Sequence, residues 1–203
     1  GVSDIILLKG SHFYMNINEY QNYHETKAHT SAEFPYNTYL CSIPLDFPGV
    51  PLHWHDELEL VVIKRGQGFV SVDFDKRLVH SGDIIIIPPR CLHAIEQDDT
   101  FKMEYENIIF KPDLLSSGAN DLCMIQYIVP LLDGSLPIEY FLTPALGSFE
   151  ALSNCIRQID LVCADQTPGW QLAVKSSLFN FFFLLISERQ KKTVSTSSNS
   201  KSL

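Results

Sequence analysis

Residues 37–111 carry the feature that most restricts the fold. Short β-branched and aromatic runs, NTYLCSI, ELELVVIK, GFVSVDF, DIIIIP and KMEYENIIF, follow one another at near-regular spacing with turn residues between them. Segments of strand length at that spacing predict a β-sandwich or small barrel rather than a parallel α/β sheet. Gly66 and Gly68 predict one hairpin, Asp75-Lys76 another, and Ser81-Gly82-Asp83 a third turn.

The flanks differ in character. Residues 1–35 are polar with interspersed aromatics and no sustained period, which predicts an N-terminal arm holding at most a short strand. Residues 36–111 form the barrel, and residues 112–190 read as helical. ANDLCMIQYIVPLL predicts a short helix stopped near Pro130. Phe149, Leu152, Ile156, Ile159 and Cys163 step by three and four residues, an apolar seam on a helix over 148–164. Thr167-Pro168 predicts an N-cap and first helical residue for a second helix reaching about residue 189. That helix is so rich in phenylalanine that it should be buried nearly all round. Residues 191–203 have the Ser/Thr/Lys composition of a flexible linker.

At 203 residues the chain fits one domain, or a domain with a helical appendage. Fifteen basic against 24 acidic residues give a formal charge of −9, which repels phosphate backbones and argues against nucleic-acid binding by this chain alone. Cys41, Cys91, Cys123, Cys155 and Cys163 are odd in number and lack CxxC spacing, the pattern of reduced thiols in a cytoplasmic protein. The apolar run LFNFFFLLI is too short to span a bilayer, so no membrane association is expected.

The sequence HWHDELE, residues 53–59, sets two histidines and three carboxylates into this apolar region. On one strand, alternation would point His53, His55, Glu57 and Glu59 to one face, with Trp54, Asp56, Leu58 and Leu60 on the other. Val61 and Ile63 continue the first face, giving one wall a polar end and an apolar end. His93 follows on a later strand. Three histidines and Glu59 form an N₃O set able to hold Zn, Ni or Fe as a divalent ion. The same residues also suit a pocket for an organic ligand, or a hydrogen-bonded polar network that binds nothing.

The spacing resembles the two motifs of the cupin superfamily. The first is His53-x-His55-x3-Glu59-x6-Gly66, and the second is Gly82-x5-Pro88 followed by His93. Arg90 stands where the motif has Gly, and Gln97 where it has Asn. Over residues 36–190 the chain resembles the N-terminal effector domain of AraC-type transcription regulators. The segments carrying this resemblance are PLHWHDELELVVIKRGQGFVSVD, SGDIIIIPPRCLHAIE, YENIIFKPDLL and the two helices after them. The resemblance implies a mainly β, cupin-like antiparallel barrel (jelly roll) followed by two C-terminal α-helices. It also implies a small-molecule effector in the barrel, a homodimer built on the helices, and DNA contact only through a C-terminal helix-turn-helix domain outside this chain.

The expected ligand-binding residues are His53, His55, Glu57, Glu59, His93 and Tyr105, with His53, His55, Glu59 and His93 available to a metal. Met103, Tyr105 and Asn107 share a strand face whose direction alternation alone leaves open. Arg90 reads as a solvated loop residue or an anion clamp. His80 reads as a surface or edge residue, and His12, His24 and His29 of the arm read as exposed loop residues, although the resemblance implies an arm able to fold over the effector. Trp54 reads as core or interface. The expected protein is a non-enzymatic sensor of a small polar molecule such as a sugar, and the alternative is a metal-dependent cupin isomerase or dioxygenase.

Overall fold

The β-branched runs become strands because stiff, branched side chains pack well on a pleated surface. A computed structural model of the chain describes residues 5–7, 14–118 and 120–199. Its described residues divide into two compact units, one running to Leu114 with Tyr140–Leu142, the other taking Leu115–Glu139 and the residues from Thr143 onward.

In the first unit, β1 (Ile5–Leu7) and β2 (Tyr14–Asn16) form a small antiparallel pair, followed by the short helix α1 (Ile17–Gln21). The expected short strand of the arm is therefore a pair of strands plus a helix; His12 lies outside the described residues. The barrel consists of β3 (Tyr36–Ile43), β4 (Gly49–His53), β5 (Leu58–Val72), β6 (Asp75–His80), β7 (Ile84–Ile87), β8 (His93–Gln97), β9 (Met103–Phe110) and β10 (Phe141–Leu142). All its ladders are antiparallel.

The long strand β5 organises this unit. Its first half lies between β7 and β9, and its second half between β6 and β8. Two layers, β3-β9-β5-β7-β10 and β6-β5-β8-β4, thus share one strand and fold toward each other as a jelly roll. Val61 and Ile63 from one half, and Val70 and Val72 from the other, meet Ile85, Ile87, Ile95 and Tyr105 in a single buried cluster.

The hairpin expected at Gly66 and Gly68 is not formed, because the chain runs straight through both as β5. The register shifts between Ile63 and Arg65, and Gly66 takes φ +78°. A Cβ there would sit 1.9 Å from the Lys102 carbonyl oxygen, so this glycine makes a bulge that bends β5 against its neighbour. The second hairpin lies two residues before its expected place. Val72 pairs with Asp75, and Asp73-Phe74 form the turn, both at positive φ (46° and 69°) as a type I′ turn requires. The turn at Ser81-Gly82 is as expected, with Gly82 at φ +100°.

The expected boundary between barrel and helical segment at 111 misses β10. Phe141 and Leu142 return to pair with Ile85 and Ile84, covering the open edge of β7. Two residues are too short a run to stand out in sequence.

In the second unit, a π-helical turn (Met124–Ile128) leads directly into α2 (Val129–Leu132). The helix ends at Leu132, near Pro130 as expected, with the proline inside its last turn. The wide turn before it and its place in the first α-turn accommodate the missing N–H. Helix α3 (Phe149–Asp165) buries Leu152, Cys155, Ile156 and Ile159. Helix α4 (Trp170–Asn199) begins after Gly169, whose φ of +89° no helix accepts, so Thr167-Pro168 precede the helix and do not cap it in the expected register. It also continues through most of the segment expected to be a linker, since Glu188 to Lys192 are good helix formers.

The two long helices pack together, and Asn180 Nδ2 donates to Cys155 Sγ at 3.4 Å. Buried Val174, Leu178, Phe181, Phe182 and Leu185 mark the inner face of α4, whereas Leu172 (74% exposed) and Phe183 (64%) are open. The expectation of burial all round is thus corrected, since one helix partner covers one stripe. Trp170–Arg189, with mean hydropathy 1.3, is long and apolar enough to cross a membrane by length and composition alone, unlike the shorter run considered in sequence.

Candidate functional site

HWHDELE does not lie on one strand. β4 ends at His53, the chain bends at Asp56-Glu57, and β5 begins at Leu58. His53, His55 and Glu59 nevertheless converge with His93, because β4 and β8 put His53 and His93 in direct register while the bend carries His55 across to them. The His53 and His93 rings lie 4.1 Å apart between centroids, and those of His55 and His93 lie 5.0 Å apart. The ligand atoms of all three histidines fall within 4.8 Å of one another.

Hydrogen bonds fix which nitrogens face this centre. His53 Nδ1–H donates to the Pro51 carbonyl at 2.9 Å, and His93 Nδ1–H to the Cys91 carbonyl at 2.9 Å. Each neutral ring then presents Nε2 as a lone pair. His55 Nε2 lies 3.0 Å from Glu59 Oε2, and its Nδ1 lies 3.5 Å from Glu57 Oε2. Glu57 is buried but lies outside the cavity lining, so the expectation of a direct ligand contact from it is corrected. The bend breaks the strand alternation and leaves Glu57 behind His55, where it can orient that ring.

The electrostatics follow from burial and contact. Burial penalises the Glu59 carboxylate, yet the hydrogen bond with His55, followed by the contact with the His93 ring, outweighs that penalty and holds its pKa well below the usual range. His55 is pulled down by burial but raised on balance by Glu59 and then Glu57. Burial, followed by the facing His93, pushes His53 down to about 4. Burial and then the neighbouring Cys41 thiol push the Tyr105 hydroxyl up, so it stays protonated.

These residues form one end of a cavity of about 320 Å³, room for on the order of ten waters. The apolar part of the lining includes Phe47, Val50, Ile95 and Ile109. Tyr105 and Asn107 also line the cavity, which settles the direction of their strand face. Among the described residues, the buried Tyr105 Oη and Asn107 Oδ1 have no hydrogen-bond partner. Buried polar atoms are normally satisfied, so these two are suited to a polar guest.

The arm contributes residues that the sequence reading left on the surface. Glu25, Lys27 and His29 line the cavity, and His29 is buried. Only the Glu-x3-His spacing hinted at them, and it has little meaning outside a helix. Trp54 secures this segment: its amide donates to Tyr23 O, and its carbonyl accepts from Glu25 N, both at 2.9 Å. Its indole stacks on His24 and Tyr20 and donates to Tyr20 O at 2.8 Å. His80 is exposed as expected. Arg90 is exposed, pairs with Asp56 at 2.8 Å, and has φ +66°, the backbone state for which the motif's glycine is suited.

His93 Nε2 is suited to a metal ion. This buried lone pair lies 3.3 Å from the Glu59 carboxylate and has no hydrogen-bond partner among the described residues. Two acceptors in contact are stabilised by a cation between them, and three imidazoles with one carboxylate suit a borderline divalent ion. The residues fit such a group. His53, His55 and His93 would hold it, with Glu59 against two of them, and it would supply a Lewis-acidic anchor for an oxygen donor.

A jelly-roll barrel with a polar centre at one end of its cavity defines a mainly β cupin fold. The chain belongs to the AraC-like ligand-binding domain family, which matches residues 39–182. It is similar to the uncharacterized HTH-type transcriptional regulator YdeC of Bacillus subtilis (strain 168), with 32% identity over 159 residues, covering 78% of this chain and 54% of that one. It is also similar to YbfI of the same organism, another uncharacterized HTH-type transcriptional regulator, with 26% identity over 72 residues, covering 36% of this chain and 26% of that one. The chain thus spans about half the length of YdeC and a smaller part of YbfI. A solved cupin protein from Bacteroides fragilis is similar at 24% identity and TM-score 0.37, over 43% of this chain and 80% of that one.

Proposed function

We propose that this chain is the effector-sensing and dimerisation part of a cytoplasmic transcription regulator, and that it binds a small polar molecule such as a sugar without transforming it. The observation that carries this reading is the cavity itself. It joins an apolar wall to the unpartnered oxygens of Tyr105 and Asn107 and to the histidine centre. Hydroxyl groups would pair with those oxygens and with the imidazoles, while a carbon skeleton packs on Ile95 and Ile109. DNA contact is assigned to a helix-turn-helix domain of the whole protein, consistent with the −9 charge of this chain.

For the homodimer, the seam expected on α3 is already used within the chain, since Leu152, Ile156 and Ile159 are buried. The open face of α4, with Leu172 and Phe183, takes its place as the proposed contact between copies.

The second reading, a metal-dependent isomerase or dioxygenase, is favoured by the His53/His55/His93/Glu59 set. Thermal-shift screening of sugars and polyols, followed by product analysis on each hit, separates the two. A binder at a hundred times its Kd stabilises by about 2.7 kcal/mol. Saturable stabilisation without product supports the sensor; turnover that tracks added metal supports the enzyme.

A further inference from the structure

We infer that Glu25 of the N-terminal arm is a further ligand to the metal centre of the cavity, so that loading the centre fixes the arm segment His24–His29 in place. The inference rests on reading His53, His55, Glu59 and His93 as that centre, and concerns what the arm adds to it.

The geometry has three parts. His53 donates through Nδ1 to Pro51 O, so the Nε2 it turns toward the centre carries a lone pair. Glu25 Oε2 lies 3.6 Å from that Nε2. A carboxylate facing a lone pair is the same mismatch found at Glu59 and His93, where the separation is 3.3 Å. Neighbouring donors on one ion with bonds of about 2.1 Å stand roughly 3.0–3.4 Å apart; the three histidines are already grouped within 4.8 Å, and Glu25, next to His53, would have to move closer to His55 and His93 to join them.

The position of Glu25 is also built rather than incidental. Its backbone N–H donates to Trp54 O, between the two histidines of the motif. His29 Nε2 lies 2.9 Å from the same Oε2 that faces His53, and holds that oxygen in place. The His29 carbonyl accepts in turn from Asn37 Nδ2 at 2.9 Å, which ties the far end of the segment to β3. An outer residue that orients a ligating carboxylate is a common feature of metal sites. Glu25 therefore has one oxygen beside His53, a histidine partner on that same oxygen and a backbone anchor at Trp54.

The test compares the unmodified chain with Glu25→Gln and with His53→Ala. Each is titrated with Zn²⁺ by calorimetry and with Co²⁺ by visible absorption, and hydrogen exchange of residues 22–31 is followed with and without Zn²⁺. Glu25→Gln should weaken Zn²⁺ binding by about ten- to a hundredfold, alter the Co²⁺ ligand-field bands toward lower coordination, and abolish the metal-induced protection of residues 22–31. Unchanged affinity, bands and protection in Glu25→Gln, with binding lost in His53→Ala, would overturn the role of Glu25 and leave the centre standing. Absence of Zn²⁺ binding by the unmodified chain would overturn the centre itself, and this inference with it.

Discussion

His53 and His93 stand opposite each other across the β4–β8 pair, with ring centroids 4.1 Å apart and both Nδ1 atoms tied to backbone carbonyls. Cross-strand neighbours so arranged can share one guest between their Nε2 atoms. His53→Ala should remove any bound Zn²⁺, detectable by elemental analysis after dialysis. If the centre serves an organic effector alone, the same change should lower effector affinity with no dependence on added metal.

Stability should depend on pH through the same ring. His53 is held at about 4 in the fold against an ordinary 6.5, so the unfolded chain takes up this proton first as pH falls. Its contribution is present above pH 6.5 and lost as pH drops toward 4. Glu59, depressed by its histidine contacts, adds a contribution present above its ordinary carboxylate pKa and lost below it. His55 has the opposite sign: its raised pKa gives stability that is full below pH 6.5 and lost as pH rises through the folded value. Urea unfolding of the metal-free protein at pH 7 and pH 5 should therefore show a smaller decline for His53→Gln than for the unmodified chain.

Tyr105→Phe should leave stability nearly unchanged, since the hydroxyl it removes has no hydrogen-bond partner among the described residues. It should weaken a hydroxylated effector by about 1 kcal/mol, several-fold in Kd. Paired measurements of Tm and Kd check this. Loss of stability with unchanged Kd would mean that the hydroxyl serves the fold.

Gly66→Ala should be severely destabilising, roughly 2–4 kcal/mol, because its Cβ meets the Lys102 carbonyl in a left-handed backbone. Gly82→Ala is the comparison: it shares positive φ (+100°) but meets nothing within 4 Å, and should cost less. Denaturant midpoints give the difference.

Ile156→Glu should unfold the helical unit, by roughly 3 kcal/mol or more, because Ile156 is 2% exposed. A double change of Leu172 and Phe183 to Glu should instead leave the fold intact and yield monomers by light scattering. A unit that stays folded in Ile156→Glu would return the dimer contact to α3.

Much of this was legible in the sequence, for physical reasons. Apolar β-branched runs report strands directly, and the spacing of His53, His55, Glu59 and His93 survived the loss of the strand alternation first invoked for it. Gly66 misled because a bulge glycine and a hairpin glycine look alike; only the partner strand, with Lys102 against it, distinguishes them. The bend after His53 was hidden because HWHDELE alternates as a strand would. Glu25 and His29 lie in a segment without period, and their meaning comes from Trp54 drawing the arm to the barrel. The rhythm of Leu152, Ile156 and Ile159 showed a helix contact but not whether its partner lay in the same chain.

The central claim is that residues from β4, the bend after it, β5 and β8 make one binding centre inside the barrel. Anomalous diffraction from crystals grown with Zn²⁺, recorded on both sides of the zinc edge, tests it most directly. A single peak per chain among His53, His55, Glu59 and His93 is the predicted result. A saturated crystal with its peak on exposed His80, and with neither metal nor organic ligand held among those four residues, would contradict it.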